Sequence, residues 1–324
     1  MYLGVGFFDE KLLNNVGKYD MNIVIFTEMS GVEKARNLKN MVESGGDKFM
    51  EISINDENDF DFVIQSGMEK PKKKHEDRNA ILQKIKSMGK SILVLDGPAI
   101  RLISDGWDYK NIEGQWVKMA WHSFFADEAV FPYDPSYNRW KELQKEHDIN
   151  VNEWKHRGDH ILVCLQKRYD AAVKRIYDNG DTYIGYISDV VEQLKKKTDR
   201  PILIRSHPTD KSVGDLLRQK LPYVKISTND NLYDDFNMTH TMVTYNSHSA
   251  VEAVLYGLPT VTLDSSAIAW DVSGKKVTDI CNAPQPDRTE WLKRLAFMQW
   301  SVKELNDGYV WNLLKKCLTE HSGK

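Results

Sequence analysis

Residues 243–263 read VTYNSHSAVEAVLYGLPTVTL: an apolar strand, a turn of small polar residues, a short helix, a Gly-Pro stop and a second strand. The turn Asn246-Ser247-His248-Ser249 gathers backbone N–H groups and hydroxyls at a helix start. The positive end of the helix dipole lies there, so the chemistry on offer is phosphate binding. Glu252, five residues after Ser247, stands where a carboxylate reaches a ribose hydroxyl. The same residue types also serve as plain helix caps. Upstream, Pro201–Pro208 is a short apolar strand ending in Arg205-Ser206-His207-Pro208. Open α/β sheets bind ligands at that edge. Arg205 and His207 are candidates there for stabilising charge on a phosphate, and a structural role is the other reading of His207.

The first half of the chain offers fewer such groups. Asp96 directly follows the apolar run Ser91–Leu95 and precedes Gly97-Pro98. A carboxylate in that place takes a proton from a hydroxyl, or caps a turn. Arg101, His122, Ser123 and Asp127 are weaker candidates in the same half. Lys70-Pro71-Lys72-Lys73-Lys74-His75 is the strongest cationic cluster and reads as a solvated loop or as a contact for backbone phosphates. Asp59-Phe60-Asp61 has metal-ligand spacing but precedes an apolar run, so it reads as a strand entrance, and no metal site is expected. Cys164, Cys281 and Cys317 lack CxxC spacing and read as buried thiols of a reducing cytosol.

Strands expected at 22–26, 49–54, 60–65 and 91–95 alternate with helices at 32–43 and 78–88, which predicts a mostly parallel sheet. Residues 99–155 are aromatic and aperiodic, with Trp107, Trp116, Trp121, Phe124, Phe125, Phe131, Tyr133, Tyr137 and Trp140 in one stretch. They read mainly as core, with a cleft lining as the alternative. Residues 150–158 read as a linker. Alternation then resumes through 263, followed by a helical tail at 289–316 broken at Gln299-Trp300-Ser301. Residues 1–152 and 153–324 are therefore expected as two Rossmann-like domains.

The second half resembles that of GT-B glycosyltransferases, in particular the capsule-polysaccharide type and its bacteriophage relatives. The resemblance covers about residues 150–311. It rests on Arg205, His207 and Pro208, and on Asn246, Ser247, Glu252, Ala253, Gly257 and Pro259. Gln166, at the tip of the strand Ile161–Leu165, fits the same pattern. The resemblance implies two α/β domains facing across a cleft, with a C-terminal helix crossing back to the first. It implies a nucleotide sugar, UDP-linked, as substrate, with no cofactor and no metal. Gln166, Asn246, Ser247, His248, Ser249 and Glu252 then hold the donor, and residues 226–231 its base. Asp96, His207 and Arg205 are the catalytic candidates.

For the acceptor, the reading favours hydroxymethylated pyrimidines in phage double-stranded DNA. Lys72, Lys73, Lys74, Arg101 and His122 would contact it, and a flipped base would stack on aromatic residues. A capsule or surface polysaccharide is the alternative acceptor. A sugar-nucleotide epimerase and a non-catalytic binding module are the alternative functions.

Composition is that of a soluble globular protein, with 41% apolar and 28% charged residues among 324. A net charge of −3 does not favour nucleic acid, and no window of eighteen apolar residues exists to span a membrane. The first residues lack a basic stretch and a cleavage pattern, so a cytoplasmic protein is expected, in the host cytoplasm if phage-encoded. The oligomeric state, the sugar and the stereochemical outcome are left open.

Overall fold

The computed structural model describes residues 21–29, 31–71, 75–103, 114–134 and 138–322. Its first sheet begins with β1 (Asn22–Phe26), α1 (Val32–Arg36), α2 (Lys39–Ser44), β2 (Lys48–Ile52) and β3 (Phe62–Ser66). It continues with α3 (Glu76–Ser87), β4 (Ser91–Asp96), β5 (Trp116–Trp121) and α4 (Asn138–His147). Strands β3 and β4 are buried at all but their last residue, as expected of central strands with both faces covered. The helix expected over 32–43 is two short helices. The irregular stretch expected at 99–155 contains both β5, which runs antiparallel to β4, and α4.

The second sheet uses β6 (His160–Cys164), α5 (Lys174–Asp178), α6 (Tyr183–Lys197), β7 (Ile202–Arg205), α7 (Ser212–Lys220) and β8 (Lys225–Ile226). It is completed by α8 (Leu232–Asn237), β9 (Thr239–Thr244), α9 (Ser249–Leu255) and β10 (Thr260–Thr262). Its strand order is β10-β9-β6-β7-β8, all parallel. In α6 the Thr182 hydroxyl caps the first turn, Ile187, Val191 and Leu194 face the core, and three lysines occupy the last turn. The Gly-Leu-Pro stop has a specific cause. Gly257 sits at φ +77°, and a Cβ there would lie 2.2 Å from the Glu153 carbonyl oxygen.

The tail holds α10 (Thr289–Phe297), β11 (Gln299–Ser301) and α11 (Tyr309–Ser322). What the sequence shows as a break in a helix is a strand. β11 pairs antiparallel with β5, giving the first sheet the order β11-β5-β4-β3-β1-β2. Helix α11 then packs on the first sheet, where the Trp121 indole donates to the Leu314 carbonyl at 2.8 Å and Lys315 pairs with Asp47 at 2.6 Å. Two Rossmann-like sheets with a returning C-terminal helix are the GT-B arrangement.

Trp116, Trp121 and Trp140 are core residues, and their apolar cluster continues into Met242, Val251 and Leu258 beside the second sheet. Trp107 and Tyr137 lie outside the described residues. Cys164 and Cys317 are buried, but Cys281 is exposed, against expectation. No helix among the described residues is long and apolar enough to cross a membrane.

Candidate active site between the two sheets

A cleft of about 800 Å³ opens between the sheets at the carboxyl ends of β4, β6, β7 and β9. Asp96, Arg101, Gln166, Arg205, His207 and the whole turn Asn246–Ser249 line it, as does Glu252. Asp96 and Arg205 end their strands, the segments that follow β4, β6, β7 and β9 carry the other side chains, and Ser249 and Glu252 lie on α9, so the sheets themselves set the spacing.

On the first sheet, Asp96 ends β4 and lies in register opposite Lys118 of β5. The Lys118 ammonium is 3.4 Å from Asp96 Oδ2 and 3.1 Å from His248 Nε2, and its side chain is 1% exposed. It also lies 4.9 Å from the Phe124 ring centre. Burial lowers the Lys118 pKa, and Asp96 opposes that shift. Burial, then the Lys118 charge, holds His248 well below the ordinary histidine range. His248 is therefore neutral, with Nε2 turned to a cation and the ring proton on Nδ1. Sequence reading missed Lys118, since one lysine inside WVKMAW carries no signal.

The turn before α9 has less spare hydrogen-bonding capacity than expected. Oriented to satisfy its neighbours, the Gln166 amide oxygen accepts from the Asn246 and Ser247 N–H groups at 2.8 and 3.0 Å. The Ser247 hydroxyl accepts from Ser249 N–H at 3.2 Å. Asn246 Nδ2 donates to the Ala172 carbonyl (2.9 Å) and to Ser266 Oγ (2.7 Å). Gln166 and Asn246 thus shape the turn, instead of presenting free polar groups to a donor.

Glu252 is redirected as well. It is 2% exposed, and its two oxygens accept from the Arg101 N–H at 2.6 Å and from the Tyr233 hydroxyl at 2.7 Å. Burial raises its pKa, and these bonds oppose the rise. In this structure the carboxylate joins the two sheets, in place of a free ribose ligand.

Arg205 also departs from expectation. Its guanidinium pairs with fully buried Asp235 and donates to the carbonyls of Asn229 (2.9 Å) and Asp230 (2.8 Å). Asp235 also holds Ser227 and Asn229, so Arg205 braces the 227–231 loop. His207 remains a phosphate candidate. Its Nδ1 accepts from Thr209 N–H at 3.2 Å, which leaves the proton of the neutral ring on Nε2 as a donor. Burial, then the charge of Arg101, lowers its pKa.

Two cations missing from the phosphate reading complete the cleft. Arg101 and Lys167 line it and form no ion pair among the described residues. Lys167 directly follows Gln166, which was the available signal.

The nucleic-acid candidates do not converge. His122, at φ 70°, lies in the field of His321 on α11 and does not line the cleft. The weaker candidates beside Asp96 are engaged as well: Asp127 pairs with Arg175 at 2.8 Å, and the buried Ser123 hydroxyl accepts from Phe125 N–H at 3.1 Å. Lys70 pairs with Asp170 at 3.1 Å. Lys72, Lys73 and Lys74 lie outside the described residues. The Asp61 carboxylate accepts from Asn22 N–H at 2.8 Å at the entrance to β3. No group of three His, Cys, Asp or Glu side chains among the described residues is arranged to hold a metal ion.

No protein-family model matches this chain, and no curated protein matches it. Solved structures do share its fold. The KpsC β-Kdo 2,4-transferase of Thermosulfurimonas dismutans superposes with a TM-score of 0.55 at 12% identity, covering 93% of this chain and 98% of that one. The KpsC β-Kdo 2,7-transferase of the same organism gives 0.53 at 12% identity, covering 91% and 99%. At this identity the likeness establishes the GT-B fold.

Proposed function

We propose that this chain is a glycosyltransferase that moves a sugar from a nucleotide sugar, such as a UDP-linked one, to a hydroxyl acceptor without metal or cofactor. The observation that carries this reading is the charge layout of the cleft. Arg101, in the loop leaving β4, and Lys167, from the second sheet, are free of carboxylate partners among the described residues. Both act on His207, whose Nε2–H faces the same cleft, and Asp96 ends β4 on the first sheet, opposite Lys167 and His207. In the reaction the acceptor oxygen bonds to the anomeric carbon, and the bond from that carbon to the phosphate oxygen breaks. The electron pair leaves on the nucleoside diphosphate, and the hydroxyl proton passes to Asp96. The developing phosphate charge falls to Arg101, Lys167 and His207, and such preorganised donors often supply the largest catalytic effect. Two proteins of similar fold are named as Kdo transferases, which supports sugar transfer.

For the acceptor we place a saccharide hydroxyl ahead of hydroxymethylated pyrimidines in DNA. Three described tryptophans that would stack on a flipped base are buried in the core, and Lys70 is neutralised by Asp170. An epimerase needs several free acid/base carboxylates, yet Glu252 and Asp170 are both engaged.

The test presents a panel of nucleotide sugars by thermal shift and then offers the best donor oligosaccharides and hydroxymethylated duplex DNA in the presence of a chelator. Mass spectrometry is expected to show one glycosyl unit added to the oligosaccharide. Addition to the DNA alone moves the acceptor to nucleic acid. An epimerised donor without acceptor, or donor binding without transfer, overturns the transferase.

A further inference from the structure

We propose that Lys118 is a positioning residue that couples the two halves of the cleft. It aims the Asp96 carboxylate from one sheet and, through His248, fixes the turn before α9 on the other. The inference rests on the transferase reading for the role of Asp96, but the coupling itself is a matter of geometry.

An ammonium that is 1% exposed is expensive to bury unless its N–H groups are paired. Neighbouring residues of β5, Val117 and Met119, are fully apolar, and a methionine at 118 would fill a similar volume without that cost. The charge is therefore the feature that needs a reason. Its neighbours supply one: Asp96 Oδ2 at 3.4 Å from β4, His248 Nε2 at 3.1 Å from the second sheet, and the Phe124 ring. Arg101 is the other charge acting on this group, and it disfavours the ammonium. One short cationic bridge thus spans both sheets at the point where the carboxylate meets the donor-side turn. Asp96 alone on β4 has freedom about its side-chain torsions, and pairing to a fixed partner removes it. His248, held with Nε2 toward Lys118, keeps its proton on Nδ1.

The test is Lys118→Met, which keeps the buried stem, alongside Lys118→Gln, which keeps a polar end. Turnover is expected to fall roughly 100-fold while donor affinity stays within about threefold, because the lysine orders catalytic groups and does not bind the donor. Burial lowers the Lys118 pKa, so the basic side of the turnover–pH profile is expected to differ between the wild type and Lys118→Met, which has no ammonium beside Asp96. A second readout needs no activity. The ¹⁵N signals of His248 are expected to report the Nδ1–H tautomer in the wild type and to shift in both variants. Unshifted His248 signals, or turnover and pH profile like those of the wild type, overturn the coupling. Shifted signals in a protein that transfers from no nucleotide sugar support the coupling and overturn the transferase reading instead. If Lys118→Met does not fold, Lys118→Gln is read by the same two measurements.

Discussion

Glu252 Oε1 accepts a 2.6 Å hydrogen bond from the backbone N–H of Arg101, and so ties the helix behind the Asn-Ser-His-Ser turn to the loop leaving β4. The second oxygen is held by Tyr233. Glu252→Ala leaves these buried donors unpaired and is expected to destabilise the fold by roughly 2–3 kcal/mol, and Glu252→Gln by less. Denaturant titration of both variants measures this, and a Glu252→Ala stability equal to that of the wild type contradicts the tie.

Arg205 is expected to act on stability. Its pair with Asp235 is buried, and removing one partner of such a pair costs about 3–5 kcal/mol. Arg205→Met and Asp235→Asn should both lower Tm strongly. A variant of either residue with wild-type Tm but lost turnover would return Arg205 to the transferring phosphate.

His207 should behave in the opposite way. It is held locally by Thr209, and its Nε2–H is the donor the cleft has to offer. His207→Ala is expected to lower turnover about 100-fold with Tm almost unchanged. A large fall in Tm with near-normal turnover sinks the assignment.

Stability should fall with acidification. Burial, then the stacked His156 ring, lowers the His240 pKa to about 4 from 6.5. Burial also lowers His207, His248, His122 and His160. Between the folded and unfolded values the unfolded chain binds more protons, so stability rises with pH through that window and is lost as pH drops below about 6.5. Tm is expected to decrease from pH 7 to pH 5, and His240→Gln to flatten the decrease. A Tm that holds steady over that range would falsify this pattern of neutral histidines.

The residues that the sequence placed well are those fixed by a strand end. Asp96, Gln166, His207 and Ser247 each follow an apolar run, and a parallel sheet sends such positions to one edge whatever the side chains then do. Side-chain partners were not legible, because Arg205 meets Asp235 and Glu252 meets Arg101 only through tertiary packing. The role of Lys118 depends on β5 running antiparallel beside β4, and nothing in the sequence marks 99–155 as holding a strand. His122 lies close to Lys118 in sequence, but its left-handed backbone turns it toward α11.

Asp96→Asn gives the most direct test of sugar transfer in this cleft. With a donor found by thermal shift, calorimetry should give a Kd within about threefold of the wild type. Transfer to the hydroxyl acceptor should fall by roughly 1000-fold, since a positioned base contributes on that scale. Transfer near the wild-type rate in Asp96→Asn, or a wild-type protein that binds no nucleotide sugar, contradicts the account.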